Sequence, residues 1–145
     1  MGLSKRYLDT NDAPFPVDVD RLGREFDLRL PEAVFGYLLG SSAVSGVVGP
    51  HSDLDLAFYL NERANVRLYD DILEVCRSVV GPVRADIGFL NAAEAVYRFE
   101  ALRGRLLFCR DEELWLGFYS RTSREYEHQL YRYEAQRRYR LGATG

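Results

Sequence analysis

The stretch LLGSSAVSGVVGPHSDLDLAFYL, residues 38–60, carries the strongest structural signals in this chain. It opens at the end of an apolar run, residues 33–40, that is typical of a buried strand ending at a turn. Its second half, residues 52–60, is a second predicted strand in which acidic and apolar residues alternate. Because side chains two residues apart lie on the same face of a strand, Asp53 and Asp55 should point in the same direction.

Leucines flank the two acids, so their negative charges would be desolvated at a cost in free energy unless a cation pairs with them. Like charges on one face of a short strand repel each other and resist desolvation unless a cation neutralises them. A third acid, Asp86, lies in a mostly apolar predicted strand, residues 83–91, where an unpaired buried carboxylate would cost several kcal/mol. Three acids from two neighbouring strands predict an oxygen-ligand site suited to Mg²⁺, which commonly uses one or two carboxylates together with substrate phosphates. The alternative is a pair of solvated acids on an exposed strand face.

Gly40 and Ser41 follow the first strand directly. By itself a Gly-Ser pair after a strand is an ordinary turn. Beside a metal site, however, its backbone N–H groups at the start of a following helix would hold a triphosphate. The sequence therefore predicts a phosphate-binding turn next to a metal site.

The rest of the chain alternates helical and strand-like patterns. Apolar spacing predicts helices over 17–30, 63–80 and about 92–103, a short strand over 105–109, and a helical tail over 111–141. Residues 1–16 contain two prolines near their end and are predicted to be an N-terminal arm. The remaining residues, 17–145, are predicted to form a single domain of the α/β (α+β) class, with a small mixed sheet flanked by helices and a long C-terminal helical segment.

Composition narrows the classes of function. The chain is 47% hydrophobic and 28% charged, as folded domains usually are, and no apolar run approaches the roughly 20 residues of a membrane span. The N-terminus lacks the apolar segment of a secretory signal, and Cys76 and Cys109 fall in apolar patterns that predict buried thiols. We therefore expect a cytoplasmic protein. The net charge of -3 argues against direct nucleic-acid binding.

Residues 38–60 resemble the signature of the polymerase-β-like nucleotidyltransferase superfamily, in which a Gly-Ser is followed by Asp-x-Asp. Residues 84–121, RADIGFLNAAEAVYRFEALRGRLLFCRDEELWLGFYSR, are similar to its minimal nucleotidyltransferase (MNT) branch. That branch is the antitoxin half of HEPN/MNT toxin–antitoxin modules. Together the two stretches span most of residues 33–121.

The resemblance implies an enzyme with ATP as substrate and two Mg²⁺ ions as cofactors. The acceptor would be a tyrosine of a cognate HEPN ribonuclease toxin, whose hydroxyl attacks the α-phosphorus in line, expels pyrophosphate and leaves the toxin AMPylated and neutralised. The implied catalytic residues and metal ligands are Asp53, Asp55 and Asp86, and the implied nucleotide-binding residues are Gly40, Ser41 and Ser52.

Three questions stay open in the sequence. The loop after Ser41 lacks the arginine common in the family, which also allows a catalytically degenerate antitoxin that neutralises its partner by binding only. The shared core also allows, as a weaker alternative, a small-molecule (aminoglycoside-type) nucleotidyltransferase. The oligomeric state is open as well, and a homo-oligomer is one alternative. The tail over 111–141 either docks the toxin or packs on its own domain, and its aromatic candidates are Trp115, Phe118, Tyr119 and Tyr126.

Overall fold

The computed structural model describes the backbone of residues 13–144 and the side chains of residues 13–142. Residues 1–12 of the predicted arm lie outside the described residues. In chain order the elements are β1 (Phe15–Pro16), α1 (Val19–Arg29), β2 (Ala33–Leu39), α2 (Gly40–Ser45), β3 (Val47–Val48), β4 (Leu54–Leu60), α3 (Val66–Val79), β5 (Ala85–Phe89), α4 (Ala95–Leu102), β6 (Arg105–Cys109) and α5 (Glu112–Thr144).

A four-stranded sheet in the order β5-β4-β2-β6 is the centre of the fold. β4 and β5 are parallel, whereas β2 runs antiparallel to both β4 and β6. The predicted fold class, a small mixed sheet with flanking helices and a long C-terminal helix, is therefore confirmed. This topology also brings the end of β2 and the beginnings of β4 and β5 together at the same end of the sheet. A second, two-stranded sheet pairs β1 with β3.

Local sequence signals explain where the helices begin and end. Asp18 caps α1 by accepting a hydrogen bond from the Arg21 N–H at 3.1 Å, and Pro31 follows shortly after the helix. Asn65 caps α3 in the same way, accepting from the Leu68 N–H at 2.8 Å. The helices predicted over 17–30 and 63–80 are therefore present, with slightly shorter bounds.

The two faces of the sheet bury different sets of side chains, as the alternation along the strands requires. The first face packs against α1 and α3; it carries Leu38, Leu54, Leu56, Phe58, Leu60 and Phe108, which meet Leu22, Phe26, Leu30, Leu68, Ile72, Val75 and Cys76. The second face packs against α4 and α5; it carries Phe35, Tyr37, Ala57 and Tyr59, which meet Leu90, Ala101 and Phe118. In β4 the odd-numbered residues, Asp55 included, therefore lie on the second face.

The long helix α5 has a packed half and an exposed half. Phe118 is buried, and the Trp115 indole donates a hydrogen bond of 2.6 Å to the hydroxyl of Tyr37 in β2. Tyr126 stacks on Phe99 of α4. Three of the four aromatic candidates of the predicted tail thus pack on the domain itself. Residues 127–142, by contrast, are all exposed.

Two smaller findings concern the cysteines and the membrane. Cys76 is buried and Cys109 is only partly buried, and both are free thiols. Within residues 13–144, none of the helices combines the length and apolar character that crossing a membrane requires.

Candidate active site

The three predicted acids gather where β2 ends and β4 and β5 begin, a region that we call the acidic edge. In the register of the sheet, Asp55 is the partner of Leu39 on one side and of Asp86 on the other. Because neighbouring strands lie roughly 4.8 Å apart, paired residues of β4 and β5 present their side chains next to each other on the same face. Asp55 and Asp86 are therefore adjacent carboxylates on the second face of the sheet.

Asp55 is the most perturbed acid of this group. Its pKa is raised above the ordinary carboxyl value, first by burial and then by the negative charges of Asp86 and Asp53. The acidic edge thus concentrates negative charge that the surrounding side chains do not neutralise at Asp55. Such a position favours a bound cation.

Asp86 differs from the sequence-based expectation of a buried carboxylate. It is exposed on β5, which is an edge strand of the sheet that the described residues form. The prediction that Asp86 is a desolvated carboxylate is therefore wrong. Its adjacency to Asp55, however, comes directly from the register.

Asp53 lies one residue before β4 and is engaged by a basic partner. Its Oδ1 is 3.0 Å from the Nε of Arg84, and both side chains are largely open to solvent. Among residues 13–144, no set of three or more His, Cys, Asp or Glu side chains is gathered closely enough to hold a metal ion. The arrangement is thus a pair of adjacent carboxylates with a third close by, and Mg²⁺ commonly takes one or two carboxylates plus phosphate oxygens. The donors fit a magnesium ion that arrives with a nucleotide.

Gly40 brings the predicted phosphate-binding turn against this acid pair. It begins α2 with a φ of 70°, a left-handed conformation that favours glycine. A Cβ at this position would lie 2.7 Å from Oδ2 of Asp55. Ser41 follows it and is exposed, and no side chain caps the first turn of α2. The absence of a side chain at Gly40 is therefore what lets the turn and the carboxylate touch.

Ser52 lies at the end of an exposed turn that precedes Asp53. Its backbone N–H donates to the Gly49 carbonyl at 3.2 Å. The chain order places Ser52 close to the acidic edge, and its nucleotide-binding role stays a prediction.

The helix predicted over about 92–103 is present as α4, but its position as a wall of the site was not predicted. Tyr97, Glu100 and Arg103 recur every three residues on and just after α4, a spacing that puts them along one side of the helix. The Tyr97 hydroxyl lies against Gly88 of β5, where a Cβ would collide with it. The pKa of Tyr97 is raised by burial and then by the charges of Asp86 and Asp55, so its hydroxyl is within electrostatic reach of the acidic edge.

The far end of the same helix borders the turn at Gly40. A pocket of about 270 Å³ lies there between α2 and the end of α4; its lining residues are Gly40, Ala43, Val44, Glu100, Arg103 and Gly104. One helix thus spans the site from the acids to the phosphate-binding turn. The spacing of three was visible in the sequence, but the placement of α4 over the strand ends was not.

A larger open pocket of about 470 Å³ lies at the opposite end of β4 and β5. It is lined by Leu60, Asn61, Glu62, Arg63, Ala64, Phe89, Asn91 and Ala92. Its residues include no adjacent pair of acids and no glycine turn. We assign the chemistry to the acidic edge because reactive groups, and not volume, define a site of this kind.

The sequence matches a known protein family over the segment that contains this arrangement. Residues 26–113, well over half of the chain, match the family described as polymerase beta, nucleotidyltransferase. The chain belongs to this family. The matched segment includes the turn at Gly40, all three acids and α4, so the whole candidate site of this nucleotidyltransferase lies within it. None of the curated proteins compared matches the sequence significantly.

Solved structures of toxin–antitoxin complexes share the fold of this nucleotidyltransferase. A chain of a mutant MntA-HpeT toxin–antitoxin complex has a TM-score of 0.64 at 16% identity, covering 82% of this chain and 94% of that one. A chain of a toxin–antitoxin structure with AMP-PNP gives 0.63 at 16% identity, over 82% and 94%. A chain of the tri-AMPylated Shewanella oneidensis HEPN toxin in complex with MNT antitoxin gives 0.58 at 15% identity, over 81% and 90%. At these identities the similarity establishes the fold.

Proposed function

We propose that this nucleotidyltransferase is an antitoxin that transfers AMP from ATP to a tyrosine hydroxyl of a cognate HEPN ribonuclease toxin and thereby neutralises it. The observation that carries the proposal is the contact between the turn at Gly40 and Asp55, which itself lies beside Asp86. A triphosphate holder and a pair of metal-binding carboxylates are the two parts that nucleotidyl transfer needs. The structural neighbours support the choice of substrate and acceptor, since one contains AMP-PNP and another an AMPylated HEPN toxin.

Each proposed site residue has a distinct task in this reaction. The backbone N–H groups of Gly40 and Ser41 hold the triphosphate, and Ser52 is a further nucleotide-binding residue. Asp53, Asp55 and Asp86 would hold two Mg²⁺ ions together with oxygens of the triphosphate. When bound, these ions would neutralise phosphate charge and lower the pKa of the attacking hydroxyl. Asp86 accepts the proton of that hydroxyl, a role that suits the most exposed position on the edge strand.

The exposure of Asp86 favours an acceptor that belongs to another protein. An edge strand leaves one side of the site open, so a tyrosine on a folded partner can approach the carboxylate without entering a cavity. A small acceptor such as an aminoglycoside would instead need an enclosing pocket. The pocket beside Gly40 holds only about 270 Å³, which the nucleotide would occupy.

The exposed half of α5 is the docking surface that we propose for the toxin. Residues 127–144 extend over roughly 27 Å at the helical rise per residue. Three exposed tyrosines lie along this part, Tyr131, Tyr133 and Tyr139, together with several arginines. Aromatic and arginine side chains are enriched at protein interfaces. The docking surface therefore lies beyond Trp115 and Phe118, which the fold itself uses.

The proposal is tested by incubating the chain with its co-expressed HEPN partner, Mg²⁺ and ATP labelled on the α-phosphate. Label on the toxin, lost in Asp86→Asn and retained in Glu74→Gln, is the expected result. Glu74 is a matched control because it is an exposed acid on α3 that pairs with Arg29 at 2.9 Å, on the other face of the sheet. A stable complex that inhibits the ribonuclease without label would instead establish neutralisation by binding only. Label recovered only in a small molecule would refute the protein acceptor.

A further inference from the structure

The hydroxyl of Tyr97 lies inside the candidate site, although no step described so far uses it. Gly88, which it touches, is two residues beyond Asp86 in β5, so the two share one face roughly 6.7 Å apart along the strand. Ala57, the register partner of Gly88, is likewise two residues from Asp55. The hydroxyl therefore lies at the residue pair Ala57 and Gly88, two residues along the strands from Asp55 and Asp86 and on the same face of the sheet.

The position of this hydroxyl is fixed from two directions. On the strand side, Gly88 provides the space that any larger residue would fill. On the helix side, the neighbouring Arg98 anchors α4 by donating from Nε to the Leu90 carbonyl at 3.1 Å and from Nη2 to the Asn91 carbonyl at 2.8 Å. Tyr97 nevertheless keeps 37% of its surface exposed, so a ligand at the acidic edge can reach it. The site thus contains a held, accessible phenol.

We propose that Tyr97 is an internal acceptor, and that the chain transfers AMP to its own Tyr97 when no partner hydroxyl fills the site. The inference rests on the proposed nucleotidyl transfer from ATP. The Tyr97 oxygen forms a bond to the α-phosphorus while the bond from that phosphorus to the bridging oxygen of the β-phosphate breaks, and pyrophosphate leaves. Asp86 takes the phenolic proton and passes it to water. The phenol of Tyr97 and the tyrosine of a docked partner compete for the same bound ATP. Self-modification therefore consumes ATP only in free antitoxin.

The test uses the full chain, purified without any toxin and incubated with Mg²⁺ and ATP. Intact mass spectrometry and peptide mapping should find one AMP group on Tyr97. Tyr97→Phe, which keeps the ring against Gly88, should lose this mass increase while its melting temperature stays close to that of the wild type. Tyr69→Phe is the matched control, because Tyr69 is 41% exposed on α3 and packs on Phe89, away from the acidic edge. It should be modified like the wild type.

Concentration dependence shows whether the transfer is internal. The fraction modified per unit time should be the same over a hundredfold range of protein concentration; a rate that rises with concentration would overturn the proposal. So would AMP on another residue, or an unmodified chain in a preparation that AMPylates its toxin. If neither the chain nor the toxin gains AMP, the proposed function fails as well, and the two failures are thus distinguished.

Discussion

Replacing Gly40 by alanine should damage the chemistry of the site far more than the stability of the fold. The new Cβ would lie 2.7 Å from Oδ2 of Asp55, well inside the usual contact distance. That oxygen is the end of a flexible side chain, so the carboxylate can rotate away without moving the backbone. The expected consequence is a displaced metal ligand in a protein that still folds.

The cost in stability follows from the backbone. An alanine at a φ of 70° is destabilised by about 1–2 kcal/mol relative to glycine. The smaller conformational freedom of alanine in the unfolded chain returns about 0.4–1 kcal/mol. The net loss is on the order of 1 kcal/mol, which lowers the melting temperature of a domain of this size by roughly 3–5 °C. Displacement of the Asp55 carboxylate, by contrast, should reduce AMP transfer by about 10- to 100-fold.

Gly46, at the opposite end of the same helix α2, offers a matched control. Its φ is 76°, and an added Cβ would meet nothing within 4 Å. Gly46→Ala should therefore lose as much stability as Gly40→Ala and keep its activity. The measurements are urea denaturation of both variants and the rate of AMP transfer to the toxin. Equal loss of activity in both, or full activity in Gly40→Ala, would refute the proposed role of the Gly40 contact.

Three further outcomes are expected. Asp55→Asn should raise the melting temperature at neutral pH in EDTA. The pKa of Asp55 is raised in the folded state, so its ionised form lowers the stability of the fold at any pH above the ordinary carboxyl pKa. The gain in melting temperature should shrink at acid pH, where the wild-type residue becomes protonated. No gain in a scanning fluorimetry pH series would contradict that reading. Arg84→Gln should tighten Mn²⁺ binding in the absence of nucleotide, since Arg84 pairs with Asp53. An exposed ion pair contributes at most about 1 kcal/mol, so the Mn²⁺ affinity measured by spin-resonance titration should rise by no more than roughly fivefold. Weaker Mn²⁺ binding in the variant would contradict this prediction. Trp115→Phe removes the hydrogen bond to the buried hydroxyl of Tyr37. The free energy of unfolding measured with urea should fall by about 1–3 kcal/mol, and AMP transfer should be retained. An unchanged free energy of unfolding would show that this bond does not help to hold α5.

The parts of the fold that depend on local pattern were predictable from the sequence. Alternation in β4 separates the buried leucines from Asp55, and the apolar stripe of α3 together with its stop at Gly81 defined a helix. The strands β1 and β3 were not predicted, because two-residue strands are too short to show a period. Local pattern thus specifies long elements and misses short pairings.

The parts of the site that depend on tertiary placement were not predictable. The sequence of β5 resembles a buried strand, and nothing local shows that the strand lies at the edge and leaves Asp86 exposed. Likewise, the spacing of Tyr97 and Arg103 indicates a shared helix face but not what that face covers. The contact of Arg84 with Asp53 joins two loops that precede parallel strands, and it exists only once those strands pair.

The acidic edge and the turn at Gly40 should together bind a metal–nucleotide complex. Anomalous diffraction from crystals grown with Mn²⁺ and AMP-PNP would locate both the metal ion and the triphosphate. We expect a manganese peak at ligand distance, about 2 Å, from a carboxylate oxygen of Asp55, with the triphosphate against Gly40 and Ser41. Manganese bound elsewhere, with the triphosphate away from this turn, would refute this binding site.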